Sequence, residues 1–322
     1  MNIKLSKESI LGLIALGTFV LMTVVAPGFI SSTNINSMMF QLPEFGLLAI
    51  AMMVVIVTGG IDLSITYIAA LSGVGAALML TNGFGILPAI IVAILFALAC
   101  GAFNGFVISK IGVSPILVTL GTMVLFEGVI LAITSGSSIS GFSDSYSLIG
   151  NGYYLGIVPF SMVIFIVFAA LTGLLLNKTT WGRRVYMYGS NDIATLFSGV
   201  KNSKVLMKVY LYAALLAAIS AIIMTSRYNS VKVDLGSSYL LQSVAAAVLG
   251  GTNIHGGYGR VMGTVYAVLI FQFIRNGLNL LGFHSSLVDV VIGSILILVL
   301  TMNFFSDKFK QKRDAKSAGH AA

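Results

Sequence analysis

The chain has 322 residues, of which 57% are apolar and only 9% charged, with a formal net charge of +8 and a mean hydropathy of +1.01. A soluble fold would have too little polar surface to clothe its core, so lipid is the solvent. The basic residues are scattered rather than grouped with base-stacking aromatics, which excludes a nucleic-acid surface, and a single cysteine, Cys100, excludes disulfides and thiolate metal sites within the chain.

About 20 residues of helix cross a hydrocarbon layer of about 30 Å. Segments of that kind follow one another at 10–26, 39–58, 63–80, 87–108, 115–134, 157–176, 209–226, 238–251, 261–281 and 287–305. They predict an all-α, polytopic transmembrane helical bundle of about ten spans over residues 1–306, followed by a basic tail at 307–322 that is expected to be disordered. The ten-residue alternating strands of a porin-like barrel are absent. Lysines precede the first segment as in a signal peptide, but no small-x-small cleavage site follows, so it is read as a retained span.

Taken in order, the polar punctuation is informative. Asp62 follows Gly59-Gly60 at a turn between the second and third spans, where a carboxylate can cap the third helix; a transport role is the other reading. Gly101 and Gly105 flank Asn104 on the fourth span and point to close helix packing. The loop at 135–156, rich in Ser, Gly and Tyr with Asp144 its only charge, is either a partner-docking element or a flexible polar connector. Residues 177–208 are too patterned for a simple link. There Asn191-Asp192 offers an N-cap, Ile193, Ala194, Leu196 and Phe197 are apolar, and Ser198-Gly199 supplies a stop. The predicted short helix is either a docking element or an interfacial helix resting on anionic lipid. The eighth span is short, and Gly277 and Gly282 interrupt the ninth, which reads as broken or re-entrant. The glycine-dense stretch at 250–263 lacks the Gly-Lys-Ser/Thr of a P-loop, so the chain has no means of binding ATP in that manner; tight turns and close helix approach are the expected use.

With ten spans and both termini cytoplasmic, the loops on the inner side carry Lys4, Lys7, Lys110, Lys178, Arg183, Arg184, Lys201, Lys204, Lys208, Arg260, Lys308, Lys310, Lys312, Arg313 and Lys316. Only Arg227, Lys232 and Arg275 of the 18 basic residues fall elsewhere. One missed helix would invert every later loop, so this bias supports both the count and the orientation.

Polar groups inside the spans mark a route for a polar solute or bonds between helices. Asn104, Thr119, Thr122, Gln242, Gln272, Asn276 and Asn279 are the candidates. Glu127 and Arg275 sit at about the same depth, and opposite intramembrane charges at one depth suggest a structural pair, with Glu44 and Asp289 as rival partners for Arg275. Phe271, Phe273 and Phe283 are read as lipid-contact or packing residues before sugar-stacking ones. His255, His284 and His320 lie far apart, and neither a metal site nor a catalytic constellation is visible.

Four segments together resemble the membrane-spanning permeases of ABC importers for ribose and other simple sugars, relatives of the branched-chain amino acid permeases. They are Thr58-Gly59-Gly60-Ile61-Asp62-Leu63-Ser64; Val118-Thr119-Leu120-Gly121-Thr122-Met123; Gly182-Arg183 with Tyr188-Gly189-Ser190-Asn191, Ala194 and Ser198-Gly199-Val200; and the stretch 245–252 with Gly256-Gly257, Gly259-Arg260, Gly263-Thr264 and Asn276-Gly277-Leu278. Their order and spacing fit across about residues 35–300. The chain departs from the pattern at Leu240-Leu241-Gln242, where relatives usually carry Glu-Leu-Asp, and at Glu127-Gly128, where an Arg-Gly is frequent.

The resemblance implies a transport subunit of the bacterial inner membrane and not an enzyme in its own right. It makes 177–208 a coupling loop whose Gly182, Arg183, Asn191, Ala194, Ser198 and Gly199 meet a cytoplasmic ATPase. It further implies two such ABC ATPase domains carrying the ATP and magnesium, an extracytoplasmic sugar-binding protein, and a second permease copy, in a homodimer or a related heterodimer. No cofactor is expected in this chain. An ion-coupled secondary carrier, using Asp62, Glu44, Glu127 or Asp289, is the first rival; a permease for another small polar solute such as an amino acid, and a channel or scaffold without energy coupling, are the others.

Overall fold

The computed structural model describes residues 7–284, 286–295, 297, 298 and 301; the tail expected at 307–322 lies outside them. In chain order the helices are α1 (Lys7–Val25), α2 (Ser32–Ile56), α3 (Ile65–Thr81), α4 (Ile86–Phe106), α5 (Pro115–Thr134), α6 (Asp144–Asn151), α7 (Phe160–Lys178), α8 (Thr180–Ser190), α9 (Asp192–Phe197), α10 (Asn202–Tyr228), α11 (Tyr239–Leu249) and α12 (Val261–Leu280), then α13 (Ser286–Ile295). A helix stands at each of the ten predicted segments. Among the described residues seven of them, α1, α2, α4, α5, α7, α10 and α12, are long and apolar enough to cross a membrane, while α3, α11 and α13 are shorter apolar helices. The chain is thus a multi-span helical membrane protein. The 11 residues of α11 rise only about 16 Å, half the hydrocarbon thickness.

Burial follows from how each helix distributes its large side chains. α2 is apolar all round over 45–56 and has residues 47–57 wholly buried, so it forms the centre of the bundle. It packs against α10, α11, α12 and α7. α4 carries a stripe of small residues, Ala89, Ala93, Ala97, Gly101 and Gly105, on its buried face and Leu87, Ile91, Leu95 and Phe103 on its exposed one. That stripe lets α10 approach closely: a Cβ at Gly101 would lie 2.6 Å from the Ala214 Cβ and 2.8 Å from the Tyr210 carbonyl oxygen. The close-packing reading of Gly101 and Gly105 therefore holds. Ser72 Oγ donates to the Ala93 carbonyl at 2.8 Å and fixes α3 to α4.

Two expectations are corrected. The ninth segment is not broken at Gly277: α12 runs unbroken to Leu280, and Gly282, at φ +81°, lies past its end. Gly277 instead makes room for α1, because a Cβ there would strike the Met22 side chain. The loop at 135–156 is not a flexible connector, since it contains α6 docked on α10. Tyr146 is wholly buried with its hydroxyl 2.7 Å from Thr225 Oγ1, Ser226 Oγ donates to the Tyr146 carbonyl at 2.6 Å, and Ile139–Ser140 pairs antiparallel with Ser230–Val231.

Candidate functional site

The 27 residues of α10 extend about 40 Å, and α9 lies just before its first turn while α6 covers its last. Polar function divides between these two ends.

At the α9 end the backbone is held by glycines. α7 turns into α8 at Thr179, whose Oγ1 accepts from Gly182 N at 3.1 Å; a Cβ at Gly182 would strike the Leu175 and Leu176 carbonyl oxygens. The far end of α8 is pressed on two other segments. Gly257 N donates to the Val57 carbonyl at 2.9 Å, Tyr186 Oη donates to the Gly259 carbonyl at 2.7 Å, and a Cβ at Gly189 would collide with Val57 O and Gly257 N. α8 is thereby locked to the end of α2 and to the turn before α12 at backbone contact, which no other residue type permits. A further crossing of α11 and α12, where Gly263 meets the Gly250 carbonyl, accounts for the glycine-dense stretch as read from sequence.

From that base the chain leaves through Asn191, in extended conformation, whose Oδ1 accepts from Ala194 N at 2.8 Å and caps α9. Ser198 is the C-cap and Gly199 follows at φ +79°. Thr195 turns inward, while Ile193 (64% exposed), Leu196 (58%) and Phe197 (87%) point away from the protein. Three large apolar side chains on a rigidly seated single-turn helix form a contact surface and not a piece of core. Arg183 and Ala194 are exposed beside it, and Arg260 pairs with Glu8 of α1 at 2.7 Å.

Next to this base lies a buried polar cluster. Asp62, 1% exposed, accepts from Ser64 N at 3.0 Å and from Ser64 Oγ at 2.6 Å, so it holds the turn just ahead of α3 and does not cap the helix itself, whose N-cap is Ser64. Burial pushes its carboxyl up to about 6, against the lowering effect of the two Ser64 hydrogen bonds. Asn104 Nδ2 donates to Ser64 Oγ at 2.8 Å, and Thr119 Oγ1 shares its proton between the Pro115 carbonyl of its own helix at 2.9 Å and the Ile61 carbonyl at 3.1 Å. Thr122 Oγ1 reaches only the Thr119 carbonyl of its own helix. Asn104 and Thr119 thus bind helices to the 57–64 turn.

At the opposite end the polar groups gather around Glu44 of α2. Its wholly buried carboxylate accepts from Arg227 Nε at 2.6 Å, from Arg227 Nη2 at 3.2 Å and from the Tyr228 hydroxyl at 2.8 Å, with the Tyr239 hydroxyl at 3.4 Å. One turn away Gln272 Nε2 donates to Gln41 Oε1 at 3.0 Å. Asn276 and Gln242 are buried nearby on α12 and α11, the Asn276 amide nitrogen having no partner among the described residues, whereas Asn279 is exposed.

The Glu127–Arg275 pairing is corrected. Arg275 Nη2 lies 3.5 Å from Asp289 Oδ1 of α13, and its guanidinium sits 5.8 Å from the Tyr239 ring centre. Glu127 is on α5, which packs on α3 and α4, while α12 packs on α1, α2 and α11; equal depth in two sequence segments says nothing about their neighbours. Phe271 is buried beside Phe45, and Phe273 sits edge-on to Phe19 and Phe29, so both pack, while Phe283 is exposed, as the lipid-contact reading allows. Sequence reading missed Gln41, Ser64, Arg227, Tyr228 and Tyr239. A lone carboxylate at Glu44 in an otherwise apolar span was the available signal that a cation must reach it.

Residues 34–300 match the profile of the family described as branched-chain amino acid transport system / permease component. The chain belongs to that family. It is 40% identical over 292 residues to the ribose import permease protein RbsC of Bacillus subtilis, covering 89% of this chain and 90% of that one. With the protein of the same name from Haemophilus influenzae it shares 36% over 302 residues, 92% of each. The autoinducer 2 import system permease protein LsrD of Salmonella typhimurium is 32% identical over 298 residues, covering 89% and 90%. A solved chain of a metal-chelate type ABC transporter in an inward-facing conformation superposes with a TM-score of 0.53 at 16% identity over 93% of this chain and 98% of that one, which places the fold alone.

Proposed function

We propose that this permease is the membrane-spanning subunit of an ATP-binding cassette importer that carries a ribose-type monosaccharide across the bacterial inner membrane by alternating access. The end-to-end 40% identity to a ribose import permease carries the reading. The bundle crosses the membrane ten times, counting the short α3, α11 and α13, with both termini and α9 in the cytoplasm. Every described basic residue except Arg227, Lys232 and Arg275 then faces inward, as loop charge demands.

In this scheme Ile193, Leu196 and Phe197 of α9 enter a cleft of a cytoplasmic ATPase subunit, with Arg183, Ala194 and Ser198 at its rim. Gly182, Asn191 and Gly199 hold α9 in place. ATP and magnesium stay on that partner. An extracytoplasmic sugar-binding protein delivers substrate to the Glu44 end, and a second permease copy completes the pathway. Partners of this kind drive transport only by binding the inward- and outward-facing states with different affinity, and a helix locked by backbone contact to α2 and α12 transmits such a bias to the core. The rival ion-coupled carrier needs free acids in the spans. Of its four candidates Glu44 and Asp289 are tied to Arg227 and Arg275 and Asp62 is held by Ser64, which leaves Glu127 and favours the ATP-driven scheme.

The test is uptake into vesicles holding the permease with its ATPase and sugar receptor. ATP-dependent, vanadate-sensitive accumulation of ribose is expected. Accumulation that follows an ion gradient without ATP would overturn the scheme, and leucine uptake in place of ribose would reassign the substrate.

A further inference from the structure

A cleft of about 320 Å³ opens between α8 and the first turns of α10, on the two chain segments that flank α9. Trp181 and Arg184 of α8 line one wall and Lys201, Lys204 and Lys208 the other, with no carboxylate in the lining. Among the described residues none of these four cations is engaged in an ion pair. The Trp181 ring forms part of the α8 wall, while its indole Nε1–H lies out of reach of solvent and, among the described residues, has no acceptor. Lys201, the residue preceding α10, offers no side-chain acceptor to the first N–H groups of that helix.

Loop charge in a membrane protein requires cations on the inner side, but it does not require four of them to line one concavity with no carboxylate among them. A phosphate group answers this arrangement: its oxygens meet a planar fork from Arg184 and point charges from the three lysines. The space far exceeds what one water needs.

We propose that this cleft is an anion site for a phosphate group, held on the inner face as the headgroup of an anionic phospholipid. Free phosphate has the same chemistry and is the other source to be distinguished. An occupant ties α8 to α10 directly behind α9. The site stands on its own geometry; its inner-face location rests on the topology proposed above.

Trp181 is the only tryptophan in the chain, so its fluorescence reports this cleft alone. The full chain is placed in phosphatidylcholine nanodiscs, formed with a tryptophan-free scaffold protein, doped with brominated phosphatidylglycerol or, at equal fraction, brominated phosphatidylcholine. Stronger quenching by the anionic lipid is expected. A cation near an anionic surface contributes about fivefold to affinity, so the preference should fall about fivefold in Lys204→Gln and again in Arg184→Gln, and stay unchanged in Lys110→Gln, a cation of the same side outside the cleft. Saturable change in Trp181 emission on adding inorganic phosphate to undoped nanodiscs, with no lipid preference, would keep the anion site and assign it to the soluble ion. Equal quenching by both lipids with no phosphate response overturns the proposal, as does an equal loss in Lys110→Gln and Lys204→Gln. Emission of each variant in undoped nanodiscs identifies any that fails to fold.

Discussion

Glu44 shows how a single buried carboxylate organises three segments. It draws Arg227 and Tyr228 from the end of α10 and Tyr239 from the start of α11, and the Arg227 side chain keeps only 17% of its surface exposed. Breaking such a pair leaves an uncompensated charge, a loss of about 3–5 kcal/mol. Arg227→Met, which strands the carboxylate, should therefore lower the midpoint of thermal unfolding in detergent more than Glu44→Leu, and the double variant should recover most of the loss. Additive losses would mean the pair contributes nothing. Asp62 predicts a pH dependence. Its folded pKa, about 6, lies above its unfolded value, so its contribution is fully present below about pH 4 and is lost as pH rises through about 6. Wild type should lose stability relative to Asp62→Asn across that interval; a difference that stays flat would place the carboxyl in an unperturbed setting.

At the scale of elements, α8 and α9 form one rigid arm whose precision comes from backbone contact. Gly189→Ala should displace the arm, because its methyl has no space between Val57 and Gly257, and uptake should fall while membrane insertion, followed by expression in the membrane fraction, is kept. Phe197→Ser removes an exposed side chain with no packing role. It should leave thermal stability within about 0.5 kcal/mol of wild type and weaken copurification of the ATPase. Unchanged copurification would remove α9 from the interface. The cap at Asn191, the apolar triplet and the stop at Gly199 were legible in sequence because capping is local chemistry. α8 was not, since its fit depends on the end of α2 and the turn before α12, segments more than sixty residues away on either side.

For the whole molecule the decisive prediction is sidedness. Cys100 is buried, so a membrane-impermeant maleimide should report introduced cysteines alone. Leu155→Cys, on the α6 side and 82% exposed at the native leucine, should label from outside intact cells, and Ser198→Cys only after the membrane is opened. The reverse pattern would invert the bundle. α2 and α10, packed at the centre, leave α1, α4, α5 and α7 at the periphery with exposed apolar faces, the arrangement expected where lipid or a second copy supplies the remaining contacts.

Composition and apolar run length determined by themselves that the chain is a membrane bundle and where its helices stand, because hydrocarbon solvation acts on each segment separately. The alternation of basic loops gave its expected orientation for the same reason, and local turn chemistry placed α9. Which charges meet was decided only in three dimensions: Arg275 and Glu127 were expected at one depth, yet α5 packs on α3 and α4, and Arg275 meets Asp289 of α13. Glu44 and Arg227, 183 residues apart, meet because α2 and α10 pack together, and helix order around a bundle is a property of side-chain shape across segments that no single segment encodes.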